Sequence, residues 1–416
     1  MCDALIRSEI RLKCGKALKD PSLFVELKTK KEGNLVKETV FRYPINKTHD
    51  GMNQIDGFSV PIGNYPKIAP FLTPDIKSAF DENHYSVNKR LLLIDPSLYF
   101  LFMGLKTDKK NCCDLIDEWA PKLPPVVNYI ANLKAPREKT DQIIKQIYPL
   151  LDVVLIRNLL EYQIKKNASI LINPSVPLSS SRMINEQVEK MRDMNKNGRI
   201  LFDTLLTRFN TQRDLMNMAT LSPSMLTSTN IDDIMDAIMQ GTPDIIGIRL
   251  MNLDEEKPAE IKSLLQFIKN LSGSGKPIFV FNVREFGYVT LCYGASVIST
   301  PIAKSPYTTR KKSDAPPKKE GSYYHSLDMI DYSYEKLPEK IREKNYRLPC
   351  HCEICDQFDS LLKVEKKHWN YFRKVHFLLL KNMEMQELRK TEVPLSTALE
   401  DKFSRSLRTG YIPFLP

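Results

Sequence analysis

Between residues 167 and 304, short apolar runs alternate with longer amphipathic stretches, and this alternation is what most restricts the fold. SILINPSV (169–176), LMNMATL (215–221), DIIGIRL (244–250), KPIFVFNV (276–283) and SVIST (296–300) have the length and branched, apolar character of buried strands. Helical patterns lie between them, over 183–209 and 231–239, and then in AEIKSLLQFIKNLSG and REFGYVTLCYGA. Strands joined by helical crossovers pair in parallel, because each crossover returns the chain to the end from which it started. Repeated this often in one direction, the pattern predicts an α/β fold of the (β/α)8 type. No G-x-G-x-x-G or Walker A stretch points instead to a nucleotide-binding open sheet.

Upstream, FSVPIG (58–63) and KRLLLIDPSLYF (89–100) are expected to be the first two strands, with the third inside LPPVVNYIANL or DVVLIRNLL. Residues 1–55 are polar and read as an N-terminal extension, with a hairpin around LFVELKTKKEGNLVKETVFRY. The expected division is therefore 1–55 extension, 56–303 barrel, 304–345 basic linker and barrel closure, and 346–416 a zinc-binding helical subdomain.

Lysine and arginine number 61 against 50 acids, a net charge of +11 that suits a polyanionic partner such as nucleic acid. The charge is concentrated in AKSPYTTRKKSDAPPKKEG (303–321), a proline-broken loop in which Arg310, Lys311 and Lys312 are placed to meet phosphates. No run approaches the roughly 20 apolar residues needed to span a bilayer, and the opening MCDALIRSEIRLKC lacks a signal-peptide core. A cytoplasmic protein with no membrane partner is expected.

Cys2, Cys14, Cys112, Cys113 and Cys292 are scattered, whereas Cys350, Cys352 and Cys355 fall within six residues. In a reducing compartment such a cluster binds metal more readily than it forms disulfides. A closed zinc site needs four soft or borderline ligands in a tetrahedron. His368 and His376 both follow within reach of a helix, and either could be the fourth ligand; His351 sits inside the cluster and is expected to point away. Three thiolates and a neutral imidazole carry a formal charge of −1, which Arg347, Lys366 and Lys367 could offset.

This spacing, appended to a barrel pattern, resembles the tRNA-guanine transglycosylase family. In that family the histidine ligand is followed by a mainly apolar helix and an arginine thirteen residues on. HFLLLKNMEMQELR, His376 to Arg389, matches that interval, so the resemblance selects His376 over His368. The likeness covers the barrel pattern and the metal cluster but not the N-terminal segment or the basic linker. It implies exchange of guanine for a 7-deazaguanine base in tRNA or DNA, through a carboxylate that attacks the anomeric carbon. A second carboxylate handles the proton. Dimeric family members also imply a catalytic or identical partner subunit.

Mapped onto this chain, the proton-handling residue falls at Asp95 in LLLIDPSLYF. There Ser97 and Leu98 replace the family's glycines and Phe100 its glutamine. The nucleophile's place in YGASVISTP is held by Ser299, with Ser296 at the companion position. Base recognition maps to Asn173 and to the backbone at Gly247 and Ile248; the family's Gln-Gly falls near Leu221 and Ser222. A serine hydroxyl is neutral and a poor nucleophile without a base, so slow or undetectable exchange is expected. Asp254, Glu255 and Glu256 follow the sixth strand, but read as the acidic start of a helix. The alternative function is a catalytically inactive, zinc-containing barrel that binds nucleic acid or serves as a partner subunit.

Overall fold

The computed structural model describes residues 9–36, 55–72, 90–96, 98, 148–227, 229–251, 253–254, 257–302, 322–325, 327–333, 352, 355 and 366–416. A small antiparallel hairpin, β1 (Ile10–Arg11) and β2 (Ala17–Leu18), precedes the main sheet. The barrel strands are β3 (Ser22–Glu26), β4 (Gly57–Pro61), β5 (Leu91–Asp95) and β6 (Ile170–Asn173), then β8 (Asp214–Leu221), β9 (Ile245–Leu250), β10 (Ile278–Phe281) and β11 (Val297–Pro301). All pair in parallel, and β11 closes onto β3 in a register running from Val297 opposite Ser22 to Pro301 opposite Glu26. A two-residue strand, β7 (Pro177–Leu178), lies along the upper part of β8. The result is a closed eight-stranded parallel barrel with helices between the strands.

The helices are α1 (Lys30–Val36), α2 (Tyr65–Leu72), α3 (Val153–Lys165), α4 (Ile184–Arg208), α5 (Ile231–Met239), α6 (Pro258–Ser272) and α7 (Phe286–Leu291), followed by α8 (Lys366–Lys390) and α9 (Leu395–Ser404). Three expectations need correcting. The barrel begins at Ser22, inside the segment read as an extension, so the strands carrying Phe58 and Asp95 are the second and third. The expected hairpin is instead a strand followed by α1. Thr29 and Glu32 form a capping box at the start of that helix. Thr29 Oγ1 accepts from the Glu32 N–H at 3.2 Å, and Glu32 Oε2 accepts from the Thr29 N–H at 3.0 Å. DVVLIRNLL is helix α3, capped by Asp152 accepting from Leu155 N at 2.9 Å. LPPVVNYIANL lies outside the described residues.

The strand period of two sorts the side chains into two cores. Phe24, Leu91, Leu93, Ile170, Ile172, Met216, Met218, Phe279, Phe281 and Val297 fill the lumen. Leu23, Val25, Ile94, Leu171, Ile246, Ile248 and Ile298 face the helical layer. Ile10, Leu12 and Leu18 of the hairpin join the luminal cluster. Lys13 donates through its backbone N–H to Asp214 at 2.9 Å, and Lys16 through Nζ to the carbonyl of Arg90 at 2.7 Å. Both partners lie at the starts of strands, so the hairpin seals the N-terminal end of the barrel. The opposite end, where the strands terminate, is the end at which barrel enzymes build their active sites.

The C-terminal part packs a hairpin, β12 (Ser322–His325) and β13 (Ile330–Ser333), against α8. Helix α8 covers the outside of β3, where the last crossover helix of a barrel belongs. Arg389 near its end donates to the carbonyl of Pro21 at 2.7 Å and to Asp56 at 2.5 Å. Asp56 also accepts from Leu23 N at 2.9 Å, so one guanidinium ties α8 to the first two barrel strands.

Candidate functional site

Two constellations stand out, one beside the barrel and one in its mouth. The first is a metal centre. Cys352 and Cys355 sit on one tight turn, with Cys355 N donating to Cys352 O at 2.8 Å. Their sulfurs lie 3.3 and 3.1 Å from Nδ1 of His376, and all three residues are buried. The imidazole's other nitrogen, Nε2, is 2.8 Å from the carbonyl oxygen of Tyr324. A carbonyl only accepts, so Nε2 carries the proton and Nδ1 turns its lone pair to the thiols. Tyr323 stacks on the ring at 4.3 Å, fixing its plane. Soft sulfur, an oriented imidazole lone pair and burial fit a metal ion, and these three residues form a group that can hold one.

His368 is exposed on α8 and stands apart from this group. Cys350, His351 and Arg347 lie outside the described residues, as do the side chains of Lys366 and Lys367 and the basic run Arg310, Lys311 and Lys312.

The second constellation is a buried ion triad. Arg249, in β9, reaches across the lumen, donates to Glu26 at 3.1 Å and forms an ion pair with Asp95 at 2.7 Å. Each of the three residues is only 2 % exposed. The guanidinium also lies over the ring of Phe281, 5.2 Å from its centre. Glu26 accepts a further bond from the backbone N–H of Asn282 at 2.6 Å, and Lys28 approaches it at 3.7 Å. Asn282 adopts φ = +63°, a left-handed conformation that asparagine tolerates better than most residues, and this turn aims its N–H at the carboxylate. Charges this deep are costly unless paired, and here each carboxylate shares the one guanidinium.

The structure places the other expected residues differently. Ser299 does point into the lumen, but it is 1 % exposed and its hydroxyl has no hydrogen-bond partner among the described residues. Asn173 faces outward, away from the mouth. Its amide donates to Met194 O at 3.2 Å and to Asn195 at 3.0 Å. Gly198 of α4 makes room for it, since a Cβ there would come within 2.0 Å of the Asn173 oxygen. Gly247 lies in the lumen two residues below Arg249, and Met216 occupies the space a side chain would need. Its strand pairs on both edges, with Phe279 opposite on one side and Met218 on the other. Ile248 packs against the helices. Asp254 pairs with Lys257 at 3.9 Å near the start of α6, a surface arrangement; Glu255 and Glu256 lie outside the described residues.

A buried charge cluster joins the metal side to the barrel. Lys381 contacts Glu285 at 3.1 Å, Glu384 at 2.9 Å and the Tyr324 hydroxyl at 2.7 Å. Burial alone would push Glu285 up, but Lys381, with Arg284 and Arg408, overrides it and holds the carboxyl at about 2.

No protein-family model matches the chain, and no curated protein sequence matches it. Glu26 and Arg249 are the functional candidates that sequence reasoning missed. The capping box in TKKE, which ends a strand at Glu26 and begins a helix, was the signal that could have found the first.

Proposed function

We propose that this chain is a barrel of the tRNA-guanine transglycosylase type that acts on nucleic acid at its C-terminal mouth, exchanging guanine for a 7-deazaguanine base in tRNA or DNA. The observation that carries this reading is the carboxylate pair. Glu26 and Asp95 end two strands of the barrel and are held on a single guanidinium at the end where barrel enzymes work. Two fixed carboxylates are also the equipment that breaks glycosidic bonds in most glycoside hydrolases. Glu26 alters the expectation drawn from Ser299, because it supplies a carboxylate next to the last strand.

Zinc is the metal that thiolates and an imidazole select, and Cys350, Cys352, Cys355 and His376 would hold it in a closed, structural site. Its contribution is to folding, since closed sites of this kind stabilise the chain that supplies their ligands. The basic segment with Arg310, Lys311 and Lys312 would meet the phosphates.

The burial of all three triad charges, together with the neutral Ser299, favours a second reading: an inactive barrel that binds nucleic acid or accompanies a catalytic partner subunit. Incubation with labelled guanine and unfractionated tRNA or duplex DNA separates the two. Incorporation supports the first reading, and binding without incorporation supports the second. Neither binding nor incorporation would discard both.

A further inference from the structure

We infer that Glu26 is the nucleophile of this glycosyl transfer, an assignment that rests on the reading above and supplies the residue it lacks. On the last strand Ser299 points into the lumen, but its hydroxyl has no hydrogen-bond partner, and so no base, among the described residues. Strand β3 is the neighbour of that strand, with Phe24 opposite Ser299 and Glu26 opposite Pro301. Glu26 therefore stands two residues nearer the mouth than Ser299, on the adjoining strand. Its side chain shares the lumen with Arg249 and Asp95.

Its two oxygens have separate anchors. Oε1 takes the Asn282 N–H at 2.6 Å, and Oε2 takes the Arg249 guanidinium at 3.1 Å. A nucleophile held at both oxygens loses little freedom on attack, and effective concentration in such sites comes from orientation. Arg249 is a positioning residue, since it sets the spacing between Glu26 and Asp95.

The chemistry balances. In the first step a Glu26 oxygen bonds to C1′ of the target nucleotide as C1′–N9 breaks. The electron pair leaves with guanine, which takes up one proton, and the sugar becomes an ester of Glu26. In the second step the corresponding nitrogen of the incoming 7-deazaguanine attacks C1′. The ester C–O bond breaks, its electrons return to Glu26, and the incoming base gives up one proton. Asp95, on the same guanidinium, is placed to carry that proton, so the turnover needs no co-reactant beyond the two bases.

The test uses the full chain with labelled guanine and end-labelled, unfractionated tRNA, and duplex DNA in parallel. Reactions are quenched in acid, run on a denaturing gel, and any protein–nucleic acid adduct is digested and mapped by mass. Incorporation is expected, with the sugar on the peptide that contains Glu26, and Glu26→Gln should lose both. An adduct on another residue, exchange retained by Glu26→Gln, or exchange abolished by Ser299→Ala would overturn the assignment while leaving the reaction standing. A wild type that neither incorporates guanine nor forms an adduct overturns the reaction, and the role of Glu26 with it. Should Glu26→Gln fail to fold, the adduct map on the wild type decides alone.

Discussion

His376 turns Nε2 to the carbonyl oxygen of Tyr324, 2.8 Å away, and this contact settles which nitrogen is left for a metal. Purified protein is expected to carry about one zinc per chain. Cys352→Ser and His376→Ala should each lose the metal and melt at lower temperature, because closed sites contribute folding energy. His368→Ala, at an exposed position, should keep it. Metal analysis of the purified variants checks this, and a metal-free wild type would dismiss the site.

Removing Arg249 should cost far more than removing a surface arginine. Arg249→Met leaves Glu26 and Asp95 buried without their shared cation, and breaking such an arrangement typically costs about 3–5 kcal/mol. Replacing all three together, as Glu26→Gln, Arg249→Met and Asp95→Asn, should recover most of that loss. Urea denaturation measures both, and a loss below about 1 kcal/mol for the single variant would mean the carboxylates are solvated.

Arg389→Ala should loosen α8 from the barrel. The guanidinium bonds the Pro21 carbonyl and the Asp56 carboxylate, and hydrogen bonds to charged groups contribute about 1.5–3 kcal/mol. Hydrogen exchange should show faster opening of β3 and the end of α8, with the centre of β9 unchanged. Uniform acceleration throughout would contradict a local clamp.

Acid should weaken the contact between the barrel and the C-terminal part. Burial opposes the charge on Glu285, yet Lys381, Arg284 and Arg408 hold its carboxyl at about 2 against an ordinary value of 4.5. A carboxyl depressed in the folded state stabilises fully above its unfolded value, and that contribution fades as pH falls from about 4.5 towards 2. At about 1.4 kcal/mol per pH unit the effect is on the order of 3 kcal/mol. Glu285→Gln should lower stability at neutral pH and flatten its slope across this acid window. An unchanged slope would assign the acid sensitivity to other carboxylates.

Nucleic-acid binding should weaken steeply with salt. Neutralising Arg310, Lys311 and Lys312 together should reduce the slope of log affinity against log salt by up to about 2–3, since each phosphate contact contributes about 0.7–0.9. A slope unchanged by the triple variant would move the phosphate contacts elsewhere on the surface.

Much of the barrel was legible because its strands from Ile170 onward are short apolar runs separated by amphipathic helices of clear period. The first strand was not. Ser22–Glu26 is five residues long, and one of its partners, β11, is made some 270 residues later, so no local pattern marks it as part of the sheet. Missing it also hid Glu26. Cys352 and Cys355 were readable because they sit three residues apart on one turn, and His376 because the resemblance's interval to Arg389 singled it out, whereas Arg249 acquires its role only when three distant strands converge. Asn173 misled for a simple reason: at the end of a strand, a shift of one position sends a side chain to the other face.

The closure of β11 onto β3 has a consequence for how the protein is made. Ser22–Glu26 leaves the ribosome some 270 residues before Val297–Pro301, and until that strand follows one of its edges stays bare. At about 5–20 residues per second that wait is on the order of tens of seconds. Throughout it, the apolar run LFV is flanked by unpaired backbone groups, the kind of edge on which nascent chains stick to one another. The newborn chain should therefore depend on chaperone shielding of this strand until Val297–Pro301 arrives.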